Sequence, residues 1–409
     1  MIGIAVSIFS LLLSTAFLLL GIGLQGTLLG LRAVHEQFSV SVIGYIMSAY
    51  FIGFAIGTYV CPPLIRRVGH VRTYAAMAAI TSSTAIAYVL VVDPYAWALF
   101  RVITGICMVA LYMVIESWLN VLAPNNLRGQ FFSAYMIITF IAMALSQYLL
   151  LAGDIAGFTL FAITAITIST ALVPIALTRV QQPHLVESPK LHLITVYHES
   201  PMGVIGTLTA GIVMGAFWGM MPVYSTQIGL DTAGVALLMS STIMGGAILQ
   251  WPIGKISDHF DRRIVLGFAA FAAAILACVE FFYVKSATLS LYIIYFWYGG
   301  FAFSLYSLSV AHVNDRLQPE QALDASQSLL QLYGIGAVAG PIMAGITMNI
   351  QGTRSLPLLY AVVLLMLGVF TLYRISTSKA APPEEHEDFI SIQRTSPVAM
   401  EMDPRTDVE

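Results

Sequence analysis

The sequence predicts an all-α membrane protein, with twelve transmembrane helices in two six-helix bundles related by an axis along the membrane normal. Three observations predict it. The 409 residues are 58% hydrophobic and only 10% charged, more apolar surface than a water-soluble fold can keep from solvent. Apolar runs of about 20 residues, the length that crosses the hydrocarbon as a helix, recur along almost the whole chain. The second such run of each half ends in a similar basic turn, at a separation of 192 residues (Phe38 to Leu230).

The spans follow in order. Backbone polar groups in lipid have no water to bond, so each apolar run is read as a helix. The first, MIGIAVSIFSLLLSTAFLLLGIGLQGTLLGL, has no Lys or Arg before Arg32. It is longer than the apolar core of a secretory signal and is expected to stay in the membrane. Five more spans are expected at 41–62, 73–92, 95–121, 129–152 and 156–178, after the first at 5–30. The second set is expected at 202–224, 233–253, 263–284, 288–312, 323–348 and 356–375. Glycines and prolines inside several of them are tolerated in membrane helices and mark kinks or close packing. The longest connection, RVQQPHLVESPKLHLITVYHE, is polar, carries Pro183 and Pro189, and separates six spans from six. The expected division is an N-terminal bundle over 1–178, a linker over 179–201, a C-terminal bundle over 202–376 and a tail over 377–409. The tail is rich in Glu and Asp and poor in large apolar residues, a composition that predicts disorder.

An even number of spans puts both termini on one side. Loops between spans 2–3, 4–5, 6–7, 8–9 and 10–11 carry Arg66, Arg67, Arg72, Arg128, Arg179, Lys190, Lys255, Arg262, Arg263 and Arg316. The opposite loops carry Arg32, Lys285 and Arg354. By the positive-inside rule the richer side, with both termini, is cytoplasmic.

Several function classes fall away. The net charge of −3 gives no case for a nucleic-acid partner. Cys61, Cys107 and Cys278 lie far apart in apolar runs, without the spacing of metal ligands or a disulfide framework. The histidines are scattered, and HExxH, GxSxG and Walker-loop patterns are absent from the sequence. No enzymatic activity, metal or cofactor is expected.

Charge is concentrated in one stretch, GKISDHFDRR, from Gly254 to Arg263. When Phe38–Arg72 is laid over Leu230–Ile264, Ser48 falls on Ser240 and the basic 2–3 loop on the basic 8–9 loop. A duplicated carrier with parallel halves has this pattern. GKISDHFDRR resembles the cytoplasmic loop signature of the major facilitator superfamily, G-x-L-x-D-R-x-G-R-R, through Gly254, Ile256, Asp258, Arg262 and Arg263. His259 and Asp261 depart from it. PPLIRRVGHVR is a weaker copy: Leu64, Arg67, Gly69 and Arg72 are recognisable, Pro62 replaces the first glycine, and Arg66 stands at the acidic position. In FRVITGICMVALYMVIESW, Arg101 and Gly105 resemble the R-x-x-x-G pattern of span 4, and APNNLRG resembles the turn before span 5. GLQGTLLGLRA, AYFIGF, VIES and QWPIGKISD are similar to the bacterial YcaD-like branch. The resemblance covers about residues 5–376 and implies the major facilitator fold in a bacterial inner membrane.

The resemblance also implies a cytoplasmic gate. Asp258 would face the positive N-terminus of span 5, near Arg128 and Gly129, a stabilising place for a carboxylate. Arg262 and Arg263 would hold Asp258 in place, with Gly254 beginning the turn. In the first half, Arg66 or Arg67 is expected to pair with Glu320 or Asp324 at the start of span 11, a charge-reversed latch. The positive-inside rule alone would account for the basic residues but not for two aspartates on the same turn.

Charges inside the membrane are functional candidates because burying one is expensive. The resemblance puts Arg101 near the cavity, where it would bind an anionic group or relay the protonation of a nearby acid; the alternative is snorkelling to the outer headgroups. Glu116 lies about 22 Å further along the same helix and is expected to pair with Arg67, Arg72 or Arg128 at the gate. Glu280 is expected as an interfacial partner of Lys285. The substrate cavity is assigned to Gln25, Arg101, Gln147, Trp218, Gln250, Trp297 and Gln331: the resemblance implies that spans 3, 6, 9 and 12 are outer supports, and spans 3, 6 and 12 carry no Gln, Asn, Trp or charge in their cores. For each singly, helix–helix hydrogen bonding is the competing explanation.

The expected function is secondary transport of a small organic solute, a metabolite or drug, by alternating access in a monomer within the lipid bilayer. Uniport, proton symport and proton antiport stay open. The alternative is a non-transporting receptor or regulator built on a carrier scaffold, to which the acidic tail would belong.

Overall fold

The structure, a computed structural model, describes residues 2–123, 128–178, 193–283, 289–317, 319–377, 389 and 395–402. Twelve helices among the described residues are long and apolar enough to cross a bilayer. The first six are α1 (Ile2–His35), α2 (Val40–Val68), α3 (His70–Leu90), α4 (Pro94–Leu122), α5 (Arg128–Tyr148) and α6 (Thr159–Leu177). The second six are α7 (Pro201–Gln227), α8 (Thr232–His259), α9 (Arg262–Tyr283), α10 (Leu289–Asn314), α11 (Pro319–Gln351) and α12 (Ser355–Thr377). No strand occurs among the described residues. Helices α1, α2, α4, α7, α8, α11 and α12 run past the expected spans at both ends, where polar flanks continue the helical backbone beyond the apolar run, whereas α6 is shorter than expected at both ends.

Local chemistry sets several of these ends. Asp93 and Asp231 cap α4 and α8, their carboxylates accepting from the N–H groups of Ala96 at 2.9 Å and Gly234 at 2.8 Å. Pro94 then occupies the first helical position, where no N–H is needed. Gly69, with φ of 92°, is the single residue between α2 and α3, a backbone conformation that a β-carbon would oppose.

The duplication is visible in the element bounds. Val40 and Thr232 start helices, His70 and Arg262 start helices, and His35 and Gln227 end them, each pair 192 residues apart. Gly53 and Gly245 stand in the same relation. A β-carbon on Gly53 would lie 2.0 Å from the Val102 carbonyl oxygen, and one on Gly245 would lie 1.8 Å from that of Phe296. Each glycine therefore lets the second helix of its half press against the fourth, backbone to backbone.

The two bundles, α1–α6 and α7–α12, meet along α2 and α11, α5 and α8, and α1 and α7. At the end opposite the basic loops this interface is tight. A β-carbon on Gly44 would lie 2.5 Å from the Pro341 carbonyl oxygen, and one on Gly30 would lie 3.2 Å from the Pro222 side chain. At the basic end, Arg262 is buried and staples α9 to its own half. Its Nε donates to Asp315 at 2.5 Å, and its Nη1 donates to Ser257 at 3.0 Å and Asp258 at 3.3 Å.

One expectation needs correction here. Part of the terminal segment expected to be disordered is packed: Phe389, Thr395, Ser396, Val398 and Ala399 are buried. Pro397–Met402 forms a 3-10 turn against α4, α5 and α11. Composition counted the acidic residues and passed over the short stretch TSPVAM, whose hydroxyls and small apolar groups suit a semi-polar crevice.

Candidate functional site

A cavity of about 360 Å³ lies between the halves. Its wall takes residues from both, including Tyr50, Phe54 and Tyr59 of α2, Arg101 and Tyr112 of α4, and Thr139 and Phe140 of α5. From the second half come Trp218 of α7, Gln250 of α8, Phe303 of α10, and Gln331 and Tyr333 of α11. Aromatic rings dominate. Phe303 packs edge-on to Trp218 at 6.1 Å between centroids, and Phe140 of the other half approaches it at 6.1 Å. Tyr59 donates to the Gln331 side-chain oxygen at 3.0 Å, a second link across the halves. Gln250 donates to Ser307 at 2.8 Å, while its own amide oxygen is buried without a partner.

Arg101 is the charged residue of this wall. It is 7% exposed, and its guanidinium carbon stands 4.7 Å from the centroid of the Tyr50 ring. That geometry is a cation–π contact. The helix packing produces it: a β-carbon on Gly105 would lie 2.1 Å from the Tyr50 carbonyl oxygen, so α2 and α4 touch one turn away. Nε of Arg101 has no hydrogen-bond partner, and no carboxylate among the described residues pairs with the side chain. A buried cation that faces a cavity without a counter-ion is a strong site for an anion.

The other expected cavity residues separate. Trp218, Gln250 and Gln331 face the cavity with Arg101. Gln147 instead fastens α5 to α1, accepting from Thr27 at 2.6 Å. Gln25 is buried away from the cavity wall with both amide atoms unpartnered. Trp297 is 46% exposed on the outer face of α10, parallel to Phe301. These three are corrections; for Gln147 and Trp297 the reason is that an amide or indole in a membrane helix satisfies itself equally well against a neighbouring helix or the lipid headgroups. The phenylalanines and tyrosines of the wall do not stand out in the sequence because such residues recur in nearly every span.

The gate residues also separate. Arg66 and Arg67 are exposed at the end of α2. The side chains of Arg128 and Glu320 lie outside the described residues, and with them the Glu320 form of the expected cross-half pairing; Asp324 is described, and no ion pair joins it to Arg66 or Arg67. Asp258 pairs with Arg262 and Lys255 of its own half, at 3.3 and 3.7 Å. It also accepts the backbone N–H of Phe389 at 2.8 Å. Arg263 binds Asp261 at 2.6 Å and reaches the Arg374 carbonyl on α12 at 3.5 Å, so it serves cohesion of the second half. Glu116 is fully buried, and its described partners are three hydroxyls: Tyr135 at 2.9 Å, Thr395 and Ser396. Arg67 and Arg72 are not among those three partners, and the Arg128 side chain lies outside the described residues. Glu280 is likewise buried among helices of its own half. It is 2% exposed and accepts from Tyr224 at 2.5 Å, while Lys285 lies outside the described residues.

Comparison with known proteins agrees with this architecture. A family model described as Major Facilitator Superfamily matches residues 11–326 and 203–402. The chain is similar to an uncharacterized MFS-type transporter, Ent638_1421, of Enterobacter sp. (strain 638), with 28% identity over 343 residues. That match covers 83% of this chain and 88% of the relative. The uncharacterized MFS-type transporter YcaD of Salmonella typhimurium is similar to the same degree, over the same shares. Among solved structures, the nucleoside transporter NupG superposes with a TM-score of 0.73 at 15% identity, covering 91% of this chain and 100% of NupG. A bacterial homologue of the human lysosomal transporter Spinster, in an inward-facing and occupied conformation, superposes with a TM-score of 0.75 at 13% identity. It covers 93% of this chain and 97% of that one.

Proposed function

The chain belongs to the Major Facilitator Superfamily, and on that premise we propose that it is a secondary carrier for a small organic solute bearing an anionic group. It is a membrane transport protein; the solute and the route are the proposal. The solute crosses the bacterial inner membrane by alternating access in a monomer, with the basic loops and both termini in the cytoplasm. The observation that carries this reading is Arg101, a buried cation without a carboxylate partner among the described residues, facing an aromatic cavity between two halves. The tight interface at the opposite end supports an inward-facing arrangement, with the cavity directed to the cytoplasm.

Two steps test it. Purified protein is heated with a library of organic anions, neutral metabolites and lipophilic cations; a compound that binds the folded state raises the melting temperature by mass action. Each hit is then followed as labelled solute in counterflow across proteoliposomes. Anionic hits that exchange label in the parent and not in Arg101→Ala support the carrier reading. Binding without exchange makes the protein a receptor, and hits confined to cations remove the role given to Arg101. Repeating counterflow under an imposed pH gradient sorts uniport from proton symport and antiport.

A further inference from the structure

The mouth of the cavity on the side of the basic loops holds part of the protein's own C-terminus. Thr395 and Pro397 line the cavity, so the segment forms its floor. The hydroxyls of Thr395 and Ser396 donate to the buried carboxylate of Glu116 on α4, whose Oε1, the oxygen Thr395 uses, also accepts from Tyr135 of α5 at 2.9 Å. Val398 and Ala399 are buried in the same apolar cluster as Trp118, Phe132 and Tyr135. Phe389 engages the other half. Its N–H donates to Asp258 at 2.8 Å, and its ring lies where a β-carbon on Gly254 would be, 2.0 Å from the nearest ring carbon. One short segment thus binds a carboxylate of each half.

We propose that the cytoplasmic mouth is a binding site for the chain's own C-terminal segment, a hydroxyl-bearing Thr-Ser-Pro-Val peptide anchored by Phe389, and that the segment leaves before solute passes. Two features suit it to that role. Its seat is wedged between helices whose cytoplasmic ends approach one another when a carrier of this type closes inward, so the docked segment opposes that closure. Its contacts are also reversible: a few hydrogen bonds to carboxylates, the Phe389 ring and two small apolar side chains, with a single 3-10 turn and no covalent tie. Glu116 gives the seat its chemistry, because a carboxylate buried in a membrane helix needs donors and Thr395 and Ser396 supply two. The consequence for transport rests on the carrier reading above, whereas the binding does not.

The test therefore needs no solute. Ala55, which lines the cavity, is changed to cysteine in a protein whose Cys61, Cys107 and Cys278 are alanine. A membrane-impermeant maleimide is applied to the cytoplasmic face of inside-out vesicles. Removal of residues 378–409 should speed labelling at least about tenfold, as expected when a dock made by two charge-assisted hydrogen bonds is lost. The full-length Thr395→Ala/Ser396→Ala variant should show the same direction of change. A synthetic peptide of residues 386–402, added to the truncated protein, should restore protection, which separates an opened mouth from a damaged fold. Equal labelling rates in all three proteins overturn the proposal. So does fast labelling of the truncated protein that the peptide does not slow.

Discussion

Ser48 and Ser240, 192 residues apart in the sequence, occupy equivalent positions of the two halves, and each donates a hydrogen bond across the interface between them. Ser48 Oγ reaches the Val338 carbonyl at 2.7 Å, and Ser240 Oγ reaches the Tyr148 hydroxyl at 3.0 Å. The duplication thus places a matched pair of fasteners at the end of the molecule away from the basic loops.

These fasteners predict how the outer end opens. A hydrogen bond between membrane helices is worth about 0.6 kcal/mol on average, so Ser48→Ala with Ser240→Ala should shift the closed-to-open ratio by only about tenfold. Gly44→Val should do more, because the added carbons meet the Pro341 backbone, which cannot move aside as a flexible side chain would. The readout is labelling of an Ala55→Cys reporter by an impermeant maleimide added outside intact cells. The parent should be protected, the double serine variant partly reactive and Gly44→Val fully reactive. Protection in Gly44→Val would mean that the contact does not hold the outer end shut.

Arg101 and Tyr50 predict a graded series. Arg101→Ala should abolish binding of the anionic solute. Arg101→Lys should keep a weak affinity, since a lysine retains the charge but loses the planar fork and the stacking on the ring. Tyr50→Phe keeps the ring face and should bind nearly as the parent does. Tyr50→Ala removes a desolvated cation–π contact and should cost about 1–2 kcal/mol of affinity. Isothermal titration with the best anionic hit measures all four; equal affinity of the lysine variant and the parent would reduce Arg101 to a point charge.

Much of this fold could be read from the chain before any coordinates, for a physical reason. Lipid removes the choice between helix and strand for each span, and apolar length marks where spans lie. The matched basic turns at Arg66 and Arg262 then exposed the duplication. The site was less legible. Arg101 stood out because a cation in an apolar run has few alternatives. Trp297 and Gln147 misled because their side chains have several: one faces outward and the other bonds a neighbouring helix. The seat of the terminal segment was invisible, since contact between Thr395 and Glu116, 279 positions apart, leaves no periodic trace in sequence.

Glu280 and Tyr224 predict a cost in stability rather than in transport. The carboxylate is buried between α7 and α9 and takes a 2.5 Å hydrogen bond from the tyrosine hydroxyl. Tyr224→Phe leaves the acceptor in an apolar setting with one donor fewer, at a cost of about 1–2 kcal/mol. Glu280→Gln, which keeps an acceptor while removing the charge, should cost less than Tyr224→Phe. Melting temperatures in detergent give the order, and the reverse order would place the weight on the charge.

The turn between α8 and α9 predicts an acid-side loss of stability. Burial works to raise the pKa of Asp261, but hydrogen bonds from the Arg263 side chain and backbone prevail and hold it below the usual carboxylate range. A group whose folded pKa is depressed contributes stability above its unfolded pKa, near 4 for aspartate. That contribution is lost as pH falls through the lower folded value, because the unfolded chain takes up the proton first. Asp261→Asn has no proton to bind. Above about pH 5 the parent should therefore be more stable than Asp261→Asn by a constant margin. Below about pH 4 the margin should shrink by at most about 1.4 kcal/mol per pH unit, the limit for one proton. Melting curves of both proteins from neutral to acid pH measure the gap. A margin that stays constant into acid would mean that Arg263 does not perturb Asp261, and that the turn is held by the backbone and by Arg262 on Asp315 instead.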